Sequence, residues 1–152
     1  MKKVYISFFL LICTNQLFCQ EKNDNSFYLE LLGNGGLYSF NYEYNFYDSL
    51  NARIGLSYSF ALFEMITIPI MINYVNPQNA ISPEIGIGFT IGRFGGFLLD
   101  EKYRVGAILT GTVGIRFHND NNRLIKIAYT PLINLESGKI LHFGGISFGK
   151  RF

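Results

Sequence analysis

From Tyr38 to Phe46 the chain alternates, without a fault, a large aromatic side chain with a small or charged polar one: Tyr38-Ser39-Phe40-Asn41-Tyr42-Glu43-Tyr44-Asn45-Phe46. Side chains on a strand point to opposite faces with period two, so this run has one face of rings and one of serine, asparagine and carboxylate. A helix would not produce it. The same phase recurs along the chain. In 52–60, Ile54, Leu56, Tyr58 and Phe60 alternate with Arg53, Gly55, Ser57 and Ser59, and in 84–92, Ile85, Ile87, Phe89 and Ile91 alternate with Glu84, Gly86, Gly88, Thr90 and Gly92.

Residues 27–32, 37–46, 52–60, 67–74, 84–92, 105–117, 123–133 and 141–152 read in this way as eight strands, each near the ~10 residues that a tilted membrane strand needs. Gly33-Asn34-Gly35-Gly36 reads as a tight connection because glycine and asparagine tolerate positive φ. Polar turns follow at 47–51, 76–79 and 118–122, with loops at 94–104 and 135–138. A helical alternative fails. Residues 61–72, the most apolar stretch beyond the N-terminus, are interrupted by Glu64 and Pro69 and fall short of the ~20 residues of a spanning helix. Pro69 itself removes a ladder hydrogen bond, so a bulge or an irregular strand start is expected there.

The 152 residues make one domain behind a leader. Met1-Lys2-Lys3, the apolar stretch that follows and Leu17-Phe18-Cys19-Gln20 read as a signal peptide over 1–19, cleaved after Cys19. Residues 20–26 form a polar lead-in and 27–152 the folded domain. Both cysteines, Cys13 and Cys19, fall in the leader, which rules out a disulfide framework. Neither follows the small residue that lipid attachment requires. Loss of Lys2 and Lys3 leaves basic and acidic residues in balance, which argues against a nucleic-acid partner.

Alternation does not say which face points out. Residue size does. The polar face is mostly glycine, serine, asparagine and threonine rather than the lysine, glutamate and glutamine of a water-facing sheet, and such small groups suit a narrow interior. The apolar face carries too much volume to fill a barrel of eight strands. Placing the polar set inside brings Glu30, Glu43 and Glu84 into the lumen with Arg53, Arg116, Lys126 and Arg151. Buried charge is costly unless paired, so these seven are expected to form a structural ion-pair network that plugs the lumen. Phe46, Tyr74, Phe117 and Phe152 fall beside turns on one rim, where an aromatic girdle belongs.

The C-terminal segment, His142-Phe143-Gly144-Gly145-Ile146-Ser147-Phe148-Gly149-Lys150-Arg151-Phe152, resembles the closing strand of Gram-negative outer-membrane β-barrels. Those chains typically end in phenylalanine with apolar or aromatic residues at alternate positions before it. Ile146, Phe148 and Phe152 match, and Lys150 departs from the pattern, although its stem can snorkel to headgroups. The plan is similar to the small OmpA-like and OmpX-like barrels across the whole mature chain. The resemblance implies an all-β, eight-stranded antiparallel up-and-down transmembrane barrel in the outer membrane, with both termini in the periplasm. It also implies that the C-terminal pattern is read by the barrel-assembly machinery.

Chemistry is sparse. His118 reads as a solvated residue of a periplasmic turn, and His142 falls on the lipid face near the outer rim. Lipid A deacylases use a histidine and a serine on such a face, but Gly144 stands where that serine would be. Asp48, Asp100 and Asp120 are scattered among turns, so no metal and no cofactor are expected. The reading is a non-enzymatic monomer among outer-membrane lipids and lipopolysaccharide, with a structural, adhesive or envelope-related role. A small pore for small solutes, or less readily a lipid A-modifying enzyme, is the alternative.

Overall fold

The computed structural model describes residues 25–59, 65–76, 81–94, 104–118, 121–135 and 137–152. The leader, its cleavage point, Phe60 and residues 95–103 of the long loop lie outside the described residues.

Eight strands follow one another in chain order: β1 (Ser26–Gly33), β2 (Gly36–Tyr47), β3 (Leu50–Ser59), β4 (Met65–Val75), β5 (Ile81–Phe94), β6 (Arg104–His118), β7 (Arg123–Ile133) and β8 (Ile140–Arg151). Each pairs antiparallel with its neighbour, and β1 pairs with β8, so the sheet closes into a barrel. Closure gives every strand two partners, which removes the unpaired edges of an open sheet. The expected strands are all present, several of them longer. Ser26, placed in the lead-in by its polarity, is instead the first residue of β1, buried and paired with Glu43 and Arg151. β5 starts at Ile81 and runs through Ser82-Pro83 ahead of the expected Glu84.

The two faces separate as their side chains dictate. Phe40, Tyr42 and Tyr44 of β2 point outward, as do Ile54, Leu56 and Tyr58 of β3 and Ile85, Ile87 and Phe89 of β5. Ser39, Asn41 and Glu43, then Asn51, Arg53 and Ser57, are buried inside. Soluble monomers rarely expose contiguous apolar patches beyond a few hundred Å². Here large apolar side chains cover the outside of all eight strands, a distribution suited to hydrocarbon rather than water.

The lumen is less uniformly polar than residue size suggested, because Tyr28, Met71, Leu124, Ala128 and Leu132 also point inward. Glycine makes room for them. Met71 faces Gly88 across the ladder, where a Cβ would stand 2.6 Å from the Met71 Cα. Tyr28 faces Gly149, where a Cβ would stand 2.7 Å from the Tyr28 Cα. Ala128 faces Gly114 at the same kind of approach. The inward glycines are thus the complement of the larger lumenal side chains.

Pro69 does not cause the expected bulge or strand start. It lies in the middle of β4, pointing inward and paired with Thr90 on the β5 side. On the β3 side the ladder joins Ile54 to Ile70 and Ser57 to Thr67, and passes over the two positions between without changing register. Gly55 stands opposite the proline, and a Cβ there would come within 2.8 Å of the Pro69 Cγ. Pro131 repeats the arrangement. The β6–β7 ladder passes over Gly111 and Thr112 against Thr130 and Pro131, again with unchanged register. In both places a proline without an N–H faces a glycine, and the sheet absorbs the lost bond locally.

The faces can be tested in one experiment. Arginine in place of outward-facing Ile87 should weaken folding into lipid vesicles by about 2–4 kcal/mol if that position meets mid-bilayer lipid. Gly88→Leu, one residue along and pressed against Met71, should also destabilise, whereas Gly144→Leu should not, since nothing lies within 4 Å of a Cβ there. Urea titration of the vesicle-inserted protein measures all three, and a neutral Ile87→Arg would reverse the assignment of faces.

Candidate functional site

The lumen holds the densest chemistry in the described residues, and the β1–β2 turn enters it. β1 is the shortest strand, and Leu32 and Gly36, at φ 56° and 112°, bend the chain on either side of Asn34. A glycine accepts that geometry freely, while at Leu32 it carries steric cost. The result is a turn directed into the barrel rather than out of it. Asn34 is fully buried there.

Side chains from four strands hold the turn. Thr67 of β4 donates to the Gly35 carbonyl at 2.6 Å, and Thr90 of β5 donates to the Asn34 carbonyl at 2.8 Å. Arg53 of β3 donates to Asn34 Oδ1 at 3.0 Å, as does Thr112 of β6 at 3.1 Å. The Asn34 amide donates to Thr110 Oγ1, and also to the Gly111 carbonyl at 2.8 Å. Gly111 is the residue opposite Pro131. A proline cannot donate to that carbonyl across the ladder, and Asn34 does so from the lumen.

Beneath the turn lie the charges. Arg53 is ion-paired with Glu30, and its Nε donates to Asn41 Oδ1 at 2.9 Å. Arg116 reaches two acids: Nη1 and Nη2 both engage Glu43, Nη2 to Oε2 at 2.7 Å, and Nε donates to Glu84 Oε2 at 2.7 Å. Lys126 completes the chain with a 3.0 Å bond to the other Glu84 oxygen. Tyr28 sits among them, its ring centroid 5.4 Å from both the Arg53 Cζ and the Lys126 Nζ, and its hydroxyl donating to Glu43 at 3.4 Å. Three acids and three bases therefore meet within the barrel, each almost wholly buried. Arg151, the fourth expected base, is half-buried at the end of β8 opposite Ser26.

Forked guanidinium–carboxylate contacts are the strong form of charged hydrogen bond, and two of the three lumenal carboxylates meet Arg116. Desolvation offsets most of the gain, so the group adds little net stability while making each member costly to remove alone. Sequence reasoning missed Tyr28 and Asn34, and placed Asn41 on the inner face without giving it a role. Tyr28 and Asn41 were accessible through parity, since each is two residues from a predicted lumenal glutamate. Asn34 carried only a turn signal.

The other singled-out residues divide by face. Ile146, Phe148 and Phe152 point outward at the β8 end of the chain, and Phe46, Tyr74 and Phe117 are exposed near the same rim. His118 is not a solvated turn residue: it is the last residue of β6 and half-buried. His142 is outward on β8, and its Nδ1 shares a short hydrogen bond with the Tyr129 hydroxyl, the two rings stacking at 5.9 Å and 19°. Among the described residues no three histidine, aspartate or glutamate side chains gather as metal ligands would.

No family model and no curated protein matches the chain. Solved structures do. The N-terminal β-barrel domain of Pseudomonas aeruginosa OprF superposes with a TM-score of 0.70 at 14% identity, over 85% of this chain and 96% of that one. The Yersinia pestis outer membrane protein Ail, in a phospholipid bilayer nanodisc, gives a TM-score of 0.54 at 13% identity, over 86% of this chain and 100% of that one. At these identities the likeness is one of fold, and the fold is the closed eight-stranded barrel of small outer-membrane proteins.

Breaking one member of the network should cost more than removing a matched pair. Arg53→Leu, which strands Glu30 and one face of Asn34, should destabilise the refolded barrel by roughly 3–5 kcal/mol. Arg53→Leu combined with Glu30→Leu should recover a large part of that loss, read as the midpoint of urea unfolding in vesicles. Equal losses in the single and double variants would mean that the charges do not act as a pair.

Proposed function

We propose that the chain is an integral outer-membrane β-barrel with a structural, adhesive or envelope-related role and a lumen closed to ions. The observation that carries this reading is the filled interior: a hydrogen-bonded turn above, and six paired charges below. An ion crossing it would have to part the Arg116 contacts to Glu43 and Glu84, exposing each charge to a low dielectric. The outward apolar face supports embedding in a bilayer, and the fold is shared with OprF's barrel domain and with Ail.

The same reading assigns the partners. The outer face is for membrane lipids, including lipopolysaccharide in the outer leaflet, and Ile146, Phe148 and Phe152 supply the pattern for the barrel-assembly machinery. The barrel is monomeric in this reading and needs no cofactor.

Planar-bilayer recording of the refolded protein tests it. The expected trace has no steady current, and a large ohmic conductance per inserted chain would establish a pore instead. The enzymatic alternative is met by mass analysis of lipid A from cells expressing wild type or His142→Ala. Identical acylation in the two is expected, and loss of an acyl chain only with wild type would overturn the non-enzymatic reading.

A further inference from the structure

One row of the outer wall is recessed. Ile72 of β4 faces Ile87 of β5, Ile87 faces Gly111 of β6, Gly111 stands opposite Pro131 of β7, and Pro131 faces His142 of β8. The row on one side runs through Tyr74, Ile85 and Val113 to Tyr129, while Leu109 and Ile133 stand on the other. Between these lies a trench of about 510 Å³, walled almost entirely by apolar atoms. Its floor is Gly111, the outward residue of β6 that has no side chain.

Packing does not require glycine at this position. A Cβ at 111 would lie 3.4 Å from the Pro131 Cγ, an ordinary contact, unlike the inward glycines that press on backbone. The missing side chain therefore opens a recess rather than relieving a clash. Barrel strands tilt by roughly 35–45°, so a row running across them climbs the wall obliquely. It rises from the turn end of β3 and β4 towards the β7–β8 loop.

Past Pro131, just beyond the residues that line the trench, the wall carries a polar pair. Tyr129 and His142 are both exposed on the outer face, where an unsatisfied phenol or imidazole is costly against hydrocarbon. They satisfy one another in part through one hydrogen bond between the Tyr129 hydroxyl and His142 Nδ1. In the tautomer that accepts at Nδ1 the ring proton is on Nε2, which places one donor beside the Pro131 end of the trench.

We propose that the trench seats one acyl chain of an outer-leaflet lipid, with the oxygen of its ester or phosphate accepting from His142 Nε2. The inference rests on the outer-membrane reading above. Acyl chains cover the lipid-facing wall of such a barrel, and here the wall also offers depth along a chain with a hydrogen-bond donor beside one end.

Native mass spectrometry of the full mature chain, refolded into vesicles of phospholipid with added lipid A and released under mild conditions, counts the lipids that stay bound. Wild type is expected to retain one lipid. Gly111→Leu, which fills the floor, should retain several-fold less, Gly111→Ala should be intermediate, and His142→Phe should lower retention while leaving insertion intact. Heat-modifiable migration of the same samples reports insertion. Equal retention by inserted wild type and Gly111→Ala or Gly111→Leu would overturn the site, as would a dimer mass lost on filling the trench, which would assign it to a second copy of the chain. Failure of wild type to insert would instead overturn the outer-membrane reading on which the site depends.

Discussion

A single guanidinium shared by two carboxylates, Arg116 between Glu43 and Glu84, is the contact around which the lumen is arranged. It joins β2, β5 and β6 across the barrel, and through Lys126 it reaches β7. Each of these charges is tolerable inside only because the others are there, so the interior is specified as a set. The neighbouring small residues follow from the same constraint: a lumen that must fit forked side chains from opposite walls has little space for other bulk. Tyr28 fits because its ring meets two cations, Arg53 and Lys126, and because Gly149 gives way opposite it.

The wall makes the complementary concession. A closed sheet has no edge at which to lodge a proline, yet Pro69 and Pro131 both lie within strands. Each is accommodated by a facing glycine and a two-position gap in the ladder, with register unchanged. Register matters more than the lost bonds, because a slip of one residue would turn the aromatic face inward and the charges outward. At Pro131 the gap also has a lumenal side, where the Asn34 amide reaches the Gly111 carbonyl.

The fold was legible because period-two alternation is a local property of strands, and Tyr38 to Phe46 states it without interruption. Which face is inside was legible from side-chain volume, since Gly86 and Gly88 opposite Ile85 and Ile87 leave little choice. Parity placed six of the seven expected charges in the network, while Arg151 lies at the end of β8. The pairings were not legible, because whether Arg53 meets Glu30 or Glu43 depends on strand stagger, which no single strand encodes. Ser26 was misplaced for a similar reason: a polar residue beside a polar tail reads as tail until its ladder partners are known. Asn34 was hidden more deeply. Turn residues look alike in sequence whether the turn points into solvent or into a barrel, and only the shortness of β1 relative to β5 and β6 distinguishes the two.

That inward turn also bears on the order in which the molecule is made. Asn34 lies 76 to 78 residues before Thr110, Gly111 and Thr112, which are its partners. A β1–β2 hairpin can form from local sequence, and Arg53 of the adjacent β3 can reach its tip, but the threonine and carbonyl partners of that tip come only with β4, β5 and β6. Contacts that span so much chain are made late, after the loop between them has lost its freedom. The seating of Asn34 therefore follows the arrival of the middle strands around the hairpin, and it marks the point at which β1 and β2 are tied to the far side of the sheet.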